Sequence, residues 1–140
     1  MPVLKFIADT NTISDYQRGE QCVREWFARH RGEVGLTTLT LTEIRRGIEL
    51  KPDSKARRRL ETFWQFVIED YAERTFVIDE AAAAEWGRMM ARQKNDLPPY
   101  DDSLIAAIAR SCDMIVVTRN EKHFRGCRTV NPWSARPARD

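Results

Sequence analysis

Near its amino end the chain reads Lys5-Phe6-Ile7-Ala8-Asp9-Thr10-Asn11, an apolar run from Val3 that stops abruptly in a carboxylate, a hydroxyl and an amide. A continuous apolar stretch of this kind suits a strand buried on both faces of a parallel sheet. The polar groups after it then fall on the carboxyl edge, where open α/β sheets place their ligands. One aspartate at such an edge is also what a plain turn would show. Its meaning depends on which other acidic groups the chain returns to the same place.

Working outward, four further short runs have strand character: residues 34–38, 75–78, 114–118 and 129–130. Between them lie helical patterns. Residues 11–16 suggest a short helical turn broken at Gly19, and Val23, Trp26 and Phe27 mark one buried helical face. Leu41, Ile44 and Ile48 repeat at helical spacing. Leu60, Phe63, Trp64 and Val67 do the same after the turn that ends in Ser54, opposite a face of Lys55, Arg57, Arg58 and Arg59. An alanine-rich helix over 80–92, capped by Asp79, turns Trp86, Met89 and Met90 inward. Residues 95–100, with Pro98-Pro99, read as a loop. Asp101 or Asp102 caps the helix that carries Leu104, Ile105 and Ile108. Strands alternating with helices predict an α/β domain with a central, mainly parallel, twisted sheet of four to five strands flanked by helices. The strand ends at Asp9, Thr37-Thr38 and 118–120 face one cleft in that arrangement.

The length of 140 residues fits one domain with its own core, and 42% apolar with 31% charged residues fits a globular chain. A net charge of +2 neither requires nor excludes a nucleic-acid partner. Cys22, Cys112 and Cys127 have no redox or metal spacing and read as reduced, mostly buried thiols. Residues 3–8 are too short for a signal-peptide core, and no run approaches the ~20 apolar residues of a membrane span, so the expectation is a soluble, cytoplasmic protein.

Three carboxylates have a claim on the cleft: Asp9, Glu43 one turn into the second crossover helix, and Asp102 at the start of the helix before strand 114–118. Asn120 adds an amide oxygen. Each has an ordinary explanation as well. Asp9 suits an Asx-turn, Thr40-Leu41-Thr42-Glu43 a capping box, Asp102 the first turn of a helix, and Asn120 a turn. Together they make a different case. Two unit charges ~4 Å apart repel by about 4 kcal/mol at an effective dielectric of 20, so three gathered carboxylates call for a cation. Oxygen donors without clustered His or Cys favour Mg²⁺ or Mn²⁺ over zinc. Such an ion supports metal-assisted hydrolysis of a phosphodiester.

In their order, several segments resemble the successive motifs of PIN-domain proteins. These are Asp9-Thr10-Asn11, Thr40-Leu41-Thr42-Glu43-Ile44-Arg45-Arg46-Gly47-Ile48, Asp102-Ser103-Leu104-Ile105-Ala106-Ala107-Ile108-Ala109, Val117-Thr118-Arg119-Asn120 with Phe124, and Asn131-Pro132-Trp133. The nearest branch is the VapC-like and FitB-like toxins of type II toxin–antitoxin modules. The resemblance implies a PIN-like nuclease domain over 1–134 with a polar tail over 135–140. It implies a Mg²⁺- or Mn²⁺-dependent endoribonuclease that hydrolyses RNA through a metal-bound water. Asp9, Glu43 and Asp102 match the family's metal site, while Asn120 stands where a fourth acid is frequent. Thr10, Asn11 and Thr118 are candidates to orient those carboxylates, and Arg45, Arg46 and Arg119 to meet RNA phosphates. Family members also pair with a cognate antitoxin and form homodimers. The helix over 54–70, with Phe63, Trp64 and Phe66, and the alanine-rich helix offer surfaces for such contacts. The rival readings are a DNA or flap-type nuclease, and a catalytically weak PIN-like protein-binding module. No Gly-rich phosphate loop is present.

Overall fold

The computed structural model describes residues 3–93 and 100–134. The strand formed by the opening stretch, β1 (Phe6–Ala8), lies at the middle of a five-stranded sheet. The others are β2 (Val34–Thr37), β3 (Thr75–Phe76), β4 (Ile115–Val117) and β5 (Thr129–Val130), ordered β3-β2-β1-β4-β5 with every neighbouring pair parallel. Among the described residues six α-helices surround it: α1 (Thr10–Gln17), α2 (Gln21–Arg29), α3 (Thr38–Glu49), α4 (Lys55–Asp70), α5 (Glu80–Arg92) and α6 (Tyr100–Ser111). None is long and apolar enough to cross a membrane.

Alternation along β1 sends its side chains to two separate cores. Phe6 and Ala8 join Ile13, Val23, Trp26, Phe27 and Val67 under α1, α2 and α4. Ile7 joins Ala82, Met89, Ile105, Ile108 and Val116 under α5 and α6. Covering on both faces is why β1 carries no polar residue until Asp9. Helix α6 is buried from Ser103 through Ala109, so its small residues Ala106, Ala107 and Ala109 let it lie close to its neighbours.

Several expectations need correcting. The third strand stops at Phe76, and Val77 and Ile78 are exposed, because β2 ends its pairing at Thr37. In α5 the inward stripe is Ala82, Trp86 and Met89; Met90 lies one residue, about 100° of helix, past Met89 and is exposed. In α4 only Val67 is buried; Phe63 and Trp64 are half-buried and Phe66 is exposed, since α4 lies at the rim of the first core. The thiols of Cys22 and Cys127 are half-buried and that of Cys112 is exposed, all three free. Helix α6 begins at Tyr100, which puts both Asp101 and Asp102 inside its first turn instead of at a cap. Both the tail over 135–140 and the greater part of the loop over 95–100 lie outside the described residues.

Two glycines give opposite tests of packing. A Cβ on Gly35 in β2 would meet the Arg74 carbonyl oxygen and the Phe76 ring, each at 2.8 Å. A Cβ on Gly47 in α3 would meet nothing within 4 Å. Gly35→Ala is expected to lower stability by about 1–3 kcal/mol through overpacking. Gly47→Ala should raise it by up to about 1 kcal/mol through helix propensity. Urea unfolding of the two variants checks both signs.

Candidate active site at the carboxyl edge

The strand order reverses between β1 and β4, and the two strands are stitched together there. Asp9 N donates to the Val117 carbonyl at 3.1 Å, and Thr12 Oγ1 donates to the same oxygen at 3.0 Å. Asp9 is the N-cap of α1, its Oδ1 accepting from Thr12 N at 2.9 Å. Its side chain is 2% exposed. Burial pushes its carboxyl above the ordinary range; hydrogen bonds from Thr118 and Thr12 offset part of that, and the nearby charge of Asp15 adds to it.

Glu43 arrives from α3. The N-cap of that helix is Thr37, whose Oγ1 accepts from Thr40 N at 3.3 Å, so Thr40 is already helical and no capping box occupies Glu43. The Glu43 side chain instead hydrogen-bonds Asp101 across the cleft. That hydrogen bond, burial and the charges of Asp101 and Asp102 raise the Glu43 pKa to about 7, against a smaller opposing pull from Arg46.

Asp102 completes the group. Its Oδ2 lies 2.8 Å from His123 Nδ1, and its backbone N donates to Asp101 Oδ1 at 3.0 Å. Burial raises its pKa, the His123 hydrogen bond lowers it, and Asp101 and Asp9 raise it further. Asp9, Glu43, Asp101 and Asp102 thus form one electrostatic unit drawn from three distant segments. Among the described residues no three acidic, His or Cys side chains are drawn tightly enough around one point to hold a metal ion.

The remaining predicted residues divide clearly. Thr118 bonds Asp9 and accepts from Asn120 N at 2.9 Å, which fixes the Asn120 backbone just past the end of β4. Thr10 Oγ1 lies 3.0 Å from Thr40 Oγ1 and ties α1 to α3 without touching a carboxylate; Asn11 is exposed on the first turn of α1. Arg45 is engaged elsewhere, paired with Glu49 and Glu61 and lying over the Trp64 ring. Arg119 faces Asp15 at 3.6 Å and stacks on Trp133 at 5.3 Å. Arg46 is exposed near Glu43. Sequence reasoning missed Thr12, Asp15 and His123, and left open whether Asp101 joins the group. Asp15 is a buried carboxylate bonded by Arg18 and by Trp133 Nε1 at 3.0 Å, which anchors the carboxyl-terminal Asn131-Pro132-Trp133 segment against α1. Thr12 was open to inference from capping spacing after Asp9. His123, held in the 3₁₀ turn Glu121–Phe124, carried no local signal.

A match to the PIN domain family model runs over residues 6–128. The chain belongs to the PIN-domain family. It is 35% identical over 141 residues to the tRNA(fMet)-specific endonuclease VapC of Shigella flexneri, covering 94% of this chain and 100% of that one. It is 31% identical over 137 residues to the plasmid stability protein StbB of Pseudomonas syringae pv. tomato, covering 92% and 99%. A solved structure of FitAB bound to a DNA fragment contains a chain that superposes with a TM-score of 0.84 at 27% identity, covering 96% and 99%.

The PIN-domain site predicts an unusual pH response for the metal-free protein. A carboxyl whose folded pKa lies above its ordinary 4.5 stabilises fully at low pH and loses that contribution as pH rises toward about 7. Glu43→Gln keeps a neutral partner for Asp101 and removes the loss. Thermal melts in chelator should therefore show the two proteins alike near pH 4.5 and the variant increasingly favoured toward pH 7.5; parallel curves would contradict the raised Glu43 pKa.

Proposed function

We propose that this protein is a divalent-metal-dependent endoribonuclease, the toxin of a toxin–antitoxin pair. The observation that carries the reading is the meeting of Asp9, Glu43, Asp101 and Asp102 at the β1–β4 edge with three of their pKa values raised. Carboxylates so placed are held at a cost that a hard cation removes, and an all-oxygen donor set fits Mg²⁺ or Mn²⁺. Asp9, Glu43 and Asp102 would hold the ion, with Asp101 supplying the acidic group that Asn120 does not. When bound, the ion supplies Lewis-acid chemistry for phosphodiester hydrolysis.

The chain's own residues do the positioning. The Thr12 amide and the Thr118 hydroxyl fix the Asp9 carboxylate in a buried pocket, so one donor is rigid before any ligand arrives. Glu43 and Asp101 stand on two different helices, and Glu43, its pKa raised to about 7, has a proton to give up as the cation enters, which couples ion binding to pH. Arg46 sits beside Glu43 where a phosphate would need a positive partner.

Next to Glu43 a groove of about 410 Å³ runs between α1, α3 and α4, lined by Arg18, Lys51, Arg59, Gly47 and Phe63. It offers cations for a phosphate backbone and a ring on which a base can stack. Gly47 has no packing duty within the chain and leaves the floor open, which suits close approach of a strand. RNA is the substrate class this favours, in line with the endonuclease name of the Shigella relative. The half-exposed aromatic face of α4 suits an antitoxin segment, as expected for a chain whose structural relatives include VapBC and FitAB complexes.

The test is cleavage of single-stranded and structured RNA with Mg²⁺ or Mn²⁺. Asp102→Asn should lose more than the roughly 100-fold that marks loss of a merely supporting group. Undiminished activity, or activity that survives chelation, overturns the proposal. Separately, Arg59→Glu should weaken RNA binding and flatten the dependence of log Kd on log salt by about 0.7 per lost phosphate contact. Binding titrations across a salt series read that slope.

A further inference from the structure

His123 belongs to no motif that marks the site, yet its ring is bonded to one of the site's carboxylates. Its Nδ1 lies 2.8 Å from Asp102 Oδ2, with Asp102 only 17% exposed and His123 37% exposed. Both ends of this bond are rigidly mounted. His123 N donates to the Asn120 carbonyl at 2.9 Å, and Asn120 N is held in turn by Thr118 Oγ1. The next residue, Phe124, is 1% exposed and sits in the core with Ile105 and Ile108, two residues of the helix that bears Asp102. On the far side of that helix, Ser103 Oγ donates to the Tyr100 carbonyl at 2.9 Å and accepts from Trp86 Nε1 at 3.0 Å. The first turn of α6 is therefore clamped from α5 by Trp86 and from the 3₁₀ turn by His123.

An aspartate side chain has only two torsions, and its terminal one is broad, so a backbone clamp does not by itself aim the carboxylate. The hydrogen bond from His123 does. We propose that His123 is a positioning residue: its Nδ1–H holds Oδ2 of Asp102 so that Oδ1 is left, pre-aimed, for the divalent cation. The proposal rests on the cation reading given above and adds to it one residue that acts through a ligand without touching the ion. A carboxylate fixed by a partner on its other oxygen loses less freedom when it ligates, and partners of this kind raise metal affinity. Asp9 likewise has one carboxylate oxygen, Oδ1, held by a donor, the Thr12 amide. Glu43, whose partner is another carboxyl, is not so held.

The experiment measures Mn²⁺ binding to the full chain by calorimetry for wild type, His123→Ala, His123→Asn, His123→Gln and Asp102→Asn. The Asn amide nitrogen reaches the position of Nδ1, whereas that of Gln lies one bond farther out. His123→Ala is expected to weaken Mn²⁺ binding by about 10- to 100-fold, with His123→Asn recovering most of the loss and His123→Gln little of it. In RNA cleavage the His123→Ala defect should appear as a higher Mn²⁺ requirement, with kcat restored at saturating ion. A merely structural loss would lower kcat at every concentration. The Asn-against-Gln comparison keeps the inference testable even where alanine lowers the melting temperature. Wild-type affinity in all three His123 variants, with binding lost in Asp102→Asn, overturns the role of His123 alone. Wild-type affinity in Asp102→Asn overturns the cation reading, and this inference with it.

Discussion

Everything at the site depends on the junction of β1 and β4. Parallel strands with nothing but apolar side chains end side by side, and the first polar residue after each faces the same cleft. The Val117 carbonyl receives two donors there, Asp9 N and Thr12 Oγ1, and the Thr118 hydroxyl reaches the Asp9 carboxylate. A single set of hydrogen bonds therefore closes the sheet edge, starts α1 and immobilises the deepest acid. Loosening this junction would disturb the fold and the site together.

Around that fixed point the other carboxylates are held by what they repel and what neutralises them. Glu43 settles by its hydrogen bond with Asp101, Asp102 by accepting from His123, and Asp15 by bonds with Arg18 and Trp133 and the nearby charge of Arg119. Asp15 contributes to the raised pKa of Asp9 but is fully engaged by its own donors, so it serves as the anchor for the carboxyl-terminal segment. The cleft thus sorts its acids: Asp15 is paired with Arg18 and Trp133, whereas Asp9, Glu43, Asp101 and Asp102 crowd one another and leave negative charge in excess. That excess is the chemical opportunity.

The fold was legible because its signals are local: five apolar runs, helical stripes such as Val23, Trp26 and Phe27, and turn residues between them. The errors fell where burial is set by distant packing. Val77 and Ile78 have every mark of a strand, yet β2 ends beside them; Met90 looks interior until its helix is placed. The approach of Asp9, Glu43 and Asp102 to one edge was legible because each follows or precedes a strand end. The ion pairs of Arg45 and Arg119 were not legible, because adjacency in sequence says nothing about which carboxylate a long side chain finds. His123 could not be inferred at all, since its partner is 21 residues away and its own turn has no pattern.

The central claim is that the excess negative charge at the β1–β4 edge receives a divalent cation. The most direct measurement is anomalous scattering at the manganese edge from crystals grown or soaked with Mn²⁺. The account predicts a peak bounded by Asp9, Glu43 and Asp102, with Glu43 parted from Asp101. Crystals of the same protein with no peak there, or with Mn²⁺ held by other residues while Glu43 and Asp101 stay joined, would contradict it.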